Sequence, residues 1–73
     1  MKISYDQKAD ALYIKLREGA FFENKEVSEG MVLDLGKENV ILGIEILDAS
    51  HRLAPEGLSH VDIQMPMSMA AVA

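Results

Sequence analysis

The stretch Val40-Ile41-Leu42-Gly43-Ile44-Glu45-Ile46-Leu47 constrains this chain more than any other. One alternating set, Val40, Leu42, Ile44 and Ile46, is wholly apolar, while the other, Ile41, Gly43, Glu45 and Leu47, is only partly polar. Side chains along a strand point to opposite faces in turn, so both faces of this one need at least partial cover. That speaks to construction rather than to activity, and no constellation of residues in the chain compels a particular chemistry.

Other segments share the period of two. Lys2 to Tyr5 sets Ile3 and Tyr5 on one side and leads through Asp6-Gln7-Lys8-Ala9-Asp10 into Ala11 to Arg17. There Leu12, Ile14 and Leu16 oppose Ala11, Tyr13, Lys15 and Arg17, the pattern of a half-buried antiparallel strand. Glu18-Gly19-Ala20 reads as a turn, and Phe21 to Ser28 is polar enough for an edge strand, where Glu23, Lys25 and Glu26 discourage aggregation through the sheet edge. Glu29-Gly30 supplies a tight turn of the kind that needs positive φ. Met31, Leu33 and Leu35 then alternate with Val32 and Asp34, and Gly36-Lys37-Glu38-Asn39 returns the chain into the apolar run. Asp48 suits the N-cap of a short helix over residues 48–53, which Pro55 and Gly57 keep from extending. Leu58 to Met65 alternates once more, Val61, Ile63 and Met65 against His60, Asp62 and Gln64, with Pro66 confining any such strand to an edge.

The expected fold is mainly β with minor α. It is an antiparallel β-meander of five or six strands plus one short helix, a single domain over residues 1–65 followed by an apolar tail, residues 66–73. Leu12, Ile14, Leu16, Leu33, Leu35, Leu42, Ile44 and Ile46 are the expected main core.

Size makes that core thin. A chain of 73 residues buries only about 60% of the surface it exposes when unfolded, and small domains compensate with disulfides, a structural metal or association. The chain has no cysteine, and His51 and His60 lack the close pairing of a zinc half-site, so association is the expected supplement and neither a metal nor a cofactor is expected. An apolar content of 49% is high for so short a chain and leaves apolar surface to spare after folding. Twelve acidic against seven basic side chains, for a net charge of −5 without any basic run, disfavour nucleic acid and anionic membranes as partners. No stretch reaches transmembrane length and Met1-Lys2-Ile3-Ser4-Tyr5-Asp6 has no apolar signal core, which favours the cytoplasm.

Two separated motifs carry a resemblance. Tyr5-Asp6 followed by Ala9-Asp10-Ala11-Leu12-Tyr13-Ile14-Lys15-Leu16, and later Gly43-Ile44-Glu45-Ile46-Leu47-Asp48-Ala49-Ser50, resemble the small prokaryotic proteins grouped as domain of unknown function 2283. The similarity covers roughly residues 1 to 53. It implies a small β-rich domain and no assigned activity, so it transfers no catalytic residue; some members lie beside small toxin-like proteins. The Met-rich end has no counterpart in that pattern.

Each candidate site has a plain structural reading beside it. Asp6 and Asp10 flank a turn and suit Asx-type bonds to its backbone better than a cation, which needs more oxygen ligands. Glu45, alone in the most apolar strand, can share a face with Tyr13, Lys15 or Asp34; a shifted acid there suits either an ion pair at a subunit contact or proton transfer. Ser50, His51 and Asp48 superficially resemble a catalytic triad, yet neighbours on a short helix point apart and no nucleophile elbow is present. Met65, Met67 and Met69 form a flexible apolar stripe. The leading expectation is a non-enzymatic interaction module that forms a homo-oligomer, with Tyr13, Val32, Ile41, Glu45, Leu47, Met65, Met67 and Met69 as interface residues. One alternative is an acidic, antitoxin-like partner of a small basic protein encoded nearby. Another is a small enzyme whose site forms at an oligomer interface around Glu45, Tyr13 and a histidine.

Overall fold

The computed structural model describes residues 1–53 and 58–66. Five strands, β1 (Lys2–Asp6), β2 (Ala11–Lys15), β3 (Glu23–Ser28), β4 (Met31–Leu35) and β5 (Ile41–Leu47), form one antiparallel sheet in the order β1-β2-β5-β4-β3. A 3₁₀ turn, Lys37–Asn39, joins β4 to β5, and the helix α1 is the single turn Ala49–Arg52. Mainly β with minor α describes the chain.

The requirement for cover on both faces explains the order. β5, apolar in both alternating sets, occupies the centre, between β2 and β4. The chain therefore does not run edge to edge: β3, β4 and β5 make a meander, while the β1–β2 hairpin docks on its far side. Residues 16–22, expected to contain a tight turn, carry the chain from β2 to the opposite edge. They are pinned there by the Leu16 and Arg17 amides, both donating to the Leu42 carbonyl, and by the Phe22 amide donating to the Leu35 carbonyl. The polar strand β3 sits at the edge, as its charges anticipate.

Residues 58–66, a candidate sixth strand, pair with no other strand. Alternation over so short a segment also suits an extended chain lying across a sheet. Leu58 and Val61 do this, lining a cleft of about 540 Å³ with Leu53 above Ile3, Leu12 and Ile46.

Register assigns the faces. Ile3, Ile14, Ile44 and Leu33 lie side by side, as do Tyr5, Leu12, Ile46 and Met31, and these rows make the first face. Leu42 shares it by the period of two and is buried together with Leu35 and Ala49; the other expected core residues are only half-buried. Ala49, fully buried, was not among them, since a lone alanine in a polar context carries no periodic signal. Gly30 meets its expectation in the β3–β4 turn, with φ +78° and its carbonyl accepting from the Leu47 amide at 2.8 Å. Among the described residues, no helix is long and apolar enough to cross a membrane.

Candidate functional site

The second face of the sheet gathers four of the eight residues expected at an interface, Tyr13, Val32, Glu45 and Leu47. Ser4, Tyr13, Glu45, Val32 and Glu26 form one row across the five strands. Lys2, Lys15, Gly43, Asp34 and Asn24 form the row beside it. Leu47, opposite Ala11, projects to the same side and is 41% exposed, whereas Ile41, 42% exposed, lies beyond a register shift in the β4–β5 pairing that sets it opposite Leu35. Leu53, Leu58, His60 and Val61 line a cleft with Ile3, Ser4, Tyr5, Leu12, Ile14 and Ile46, and residues 17–20, Gly36, Lys37 and Val40 line another with Leu42. Met65 is 62% exposed, and Met67 and Met69 lie outside the described residues.

Gly43 shapes the centre of this face. A side chain there would meet the Tyr13 ring, with Cζ at 2.7 Å from the added carbon, so the absence of one lets the phenol lie across β5 toward Asp34. Partial burial, then the charge of Asp34 and a hydrogen bond to it, raise the Tyr13 pKa. Glu45 is raised as well, first by hydrogen bonding with Asp34, then by burial and by the Asp34 charge. All three residues anticipated beside Glu45 share its face, but its bonding partner is the acid Asp34 and not a cation. Lys15 Nζ turns instead to Glu18 Oε1 at 2.8 Å, an exposed pair.

A second cluster forms at the corner where the β1–β2 turn meets α1. Asp6 Oδ1 accepts from the Lys8 and Ala9 amides at 3.0 and 3.1 Å, the expected Asx-type turn. Asp10, in the left-handed region at φ 52°, accepts from the Tyr5 hydroxyl at 2.6 Å and the Ser50 amide at 3.0 Å through Oδ1, and from Ser50 Oγ at 2.6 Å through Oδ2. Its carbonyl also accepts from the Ala49 amide at 2.9 Å. Asp48 is the N-cap residue of α1, its carbonyl accepting from the His51 and Arg52 amides at 3.1 Å, but its side chain makes no capping bond: the residue is left-handed at φ 55°, and its carboxylate bonds His51 Nδ1 at 2.8 Å.

That geometry does not assemble a nucleophile. The Ser50 hydroxyl hydrogen is committed to Asp10, and His51 Nδ1 is engaged by Asp48 and stands 3.4 Å from Ser50 Oγ. Asp10, Asp48 and His51 bring one ligand atom each within 4.8 Å of one another, but both Asp10 oxygens already hold the turn to the helix. The corner is a structural tie.

Its pH response follows from the bonds. Ser50 first and Tyr5 second lower the Asp10 pKa from the ordinary value of 3.8. A carboxyl with a lowered folded-state pKa stabilises the fold above its unfolded value and loses that contribution as pH falls through the folded one. Asp10→Asn, which tolerates the left-handed backbone, therefore lowers the melting temperature near neutral pH. It also flattens the fall seen on acidification below about pH 4. A melting curve followed across pH for both proteins checks this; an unchanged neutral melting temperature would show that the tie does not stabilise the fold.

The two motifs of the resemblance meet at this corner, joined by Asp10 and Ser50. The family described as Protein of unknown function (DUF2283) matches residues 2–50. The chain belongs to that family. Within this member the matched region runs from β1 to the first turn of α1. No curated protein and no solved structure matches the chain.

Proposed function

We propose that this member of the family is a non-enzymatic interaction module that associates with itself through the second face of its sheet. One observation carries the reading. Tyr13, Val32 and Leu47 lie on the face of the sheet opposite the one whose Leu12, Ile14 and Ile46 line the cleft with Leu53, Leu58 and Val61. A sheet is normally one of two packed layers. Burial within the single chain supports the same conclusion: among the described residues only Leu35, Leu42 and Ala49 are buried apolar residues, and no large side chain is fully buried.

A catalytic reading draws less support. The enzyme alternative needs a histidine beside Glu45 and Tyr13, whereas His51 belongs to the Asp10 corner and His60 to the cleft on the first face. The two carboxyls Asp34 and Glu45 lie on a sheet surface and not in an enclosed pocket.

Self-association stabilises the folded state by mass action, so the melting temperature rises with protein concentration. Thermal melts over a hundredfold range of concentration test this. A melting temperature that stays constant across the range contradicts it.

A further inference from the structure

Among the described strands β1 pairs with β2 alone, at one edge of the sheet, and its five residues keep unbroken register with that neighbour. A regular edge of this kind is a template for a further strand. The opposite edge differs, since a bulge between Glu26 and Ser28 interrupts β3.

The side chains of β1 select the partner. Lys2-Ile3-Ser4-Tyr5-Asp6 is complementary to its own antiparallel copy. A two-fold axis through Ser4, perpendicular to the sheet, keeps each face continuous and sets Lys2 opposite Asp6 and Ile3 opposite Tyr5, each pair occurring twice. Centring the axis on Ile3 or on Tyr5 sets Lys2 or Asp6 against Ser4 and shortens the overlap. Both charges are available. Lys2 enters no ion pair among the described residues, and the Lys8 and Ala9 amides occupy only Oδ1 of Asp6. A lone edge lysine repels most incoming strands, but this register brings it a carboxylate. On the first face the apolar cleft is lined by Ile3, Ser4 and Tyr5, consecutive residues of the edge strand, so it reaches the joint. Tyr5 is 37% exposed and held through its hydroxyl to Asp10, beside the place that Ile3 of the second copy takes.

We infer that β1 is a further contact between copies of this chain, pairing antiparallel with β1 of another copy about Ser4 and joining two sheets into one. It is separate from the second face and does not rest on it. A joint of five residues is small, so alone it holds two chains only transiently.

Trapping suits a transient contact, and the chain has no cysteine of its own to interfere. Ser4→Cys sets two thiols across the axis with Cα atoms about 4.5–5.5 Å apart, within the span of a disulfide. Sheets stacked face to face lie about 10 Å apart, beyond that span. In air with a copper–phenanthroline catalyst, Ser4→Cys crosslinks at least about tenfold faster than Asn24→Cys, at the exposed edge strand β3. Adding Lys2→Glu sets like charges opposite each other twice and slows the reaction about tenfold. Lys8→Glu, the same change of charge beyond the paired segment, leaves the rate within about twofold. Equal rates for the two single-cysteine proteins, or equal slowing by the two charge changes, overturn the pairing. Neither result touches the second-face association, which the mass of the unmodified protein reads.

Discussion

Leu42→Ala lowers the unfolding free energy by about 2–5 kcal/mol, the range for large-to-small changes in a core. Leu42 is 7% exposed, in the central strand, on the face that the residue 16–22 crossover closes. The fit is close: a side chain added at Gly19 would come within 2.7 Å of Leu42 Cδ2, and one at Gly36 within 3.5 Å. Little lies nearby to collapse into the space, so the cavity persists and its cost adds to the lost transfer energy. Ile44→Ala, on the same face but only half-buried, costs less. Since only three apolar residues are buried among those described, a loss of this size removes a large part of a small domain's stability. Chemical denaturation of both variants measures it. An Ile44→Ala cost above that of Leu42→Ala would mean that the main packing lies elsewhere on the face.

Periodicity made most of this fold legible. Ile3 and Tyr5, Leu12 and Ile14, Met31 and Leu33, and Leu42, Ile44 and Ile46 all fall on one face, because side-chain direction in a strand depends only on position along it. The double apolar character of Val40 to Leu47 called for at least partial cover on both faces, and β5 is the central strand of the sheet. Strand order was less accessible. A short polar link such as residues 18–20 looks the same whether it turns a hairpin or begins a crossover, since the difference lies in which distant strand it reaches. The alternation of residues 58–65 suggested a sixth strand, but no strand forms there, because alternation alone does not say whether a partner edge is within reach.

The site was legible by face and not by bond. Tyr13, Val32, Glu45 and Leu47 share a surface because their parity and the sheet register put them there, while the register shift before Ile41, which sets it opposite Leu35, is invisible to parity. The neighbour of Glu45 is Asp34 in place of a lysine, and the Tyr13 ring lies over Gly43, both consequences of register that one strand alone does not carry. Asp10 and Ser50 are 40 residues apart, and their bond emerges only once β5 has been placed beside β2.

Ile41→Asp combined with Leu47→Asp abolishes self-association while leaving the fold intact. Both side chains are about two-fifths exposed, at opposite ends of β5. In a dimer each substitution buries a carboxylate against an apolar surface twice over, and an unpaired charge in that position costs several kcal/mol. The expected loss of affinity is therefore at least about a hundredfold. Circular dichroism should be unchanged. Retention of self-association by the folded double variant would mean that the copies meet through another surface, such as the cleft beneath Leu58 and Val61.

The most direct test is the mass of the unmodified protein in solution, measured by light scattering over a wide concentration series. Self-association through the second face predicts a mass that climbs from 8.0 kDa toward twice that value as concentration rises. A mass that holds at the single-chain value up to the highest concentration contradicts it.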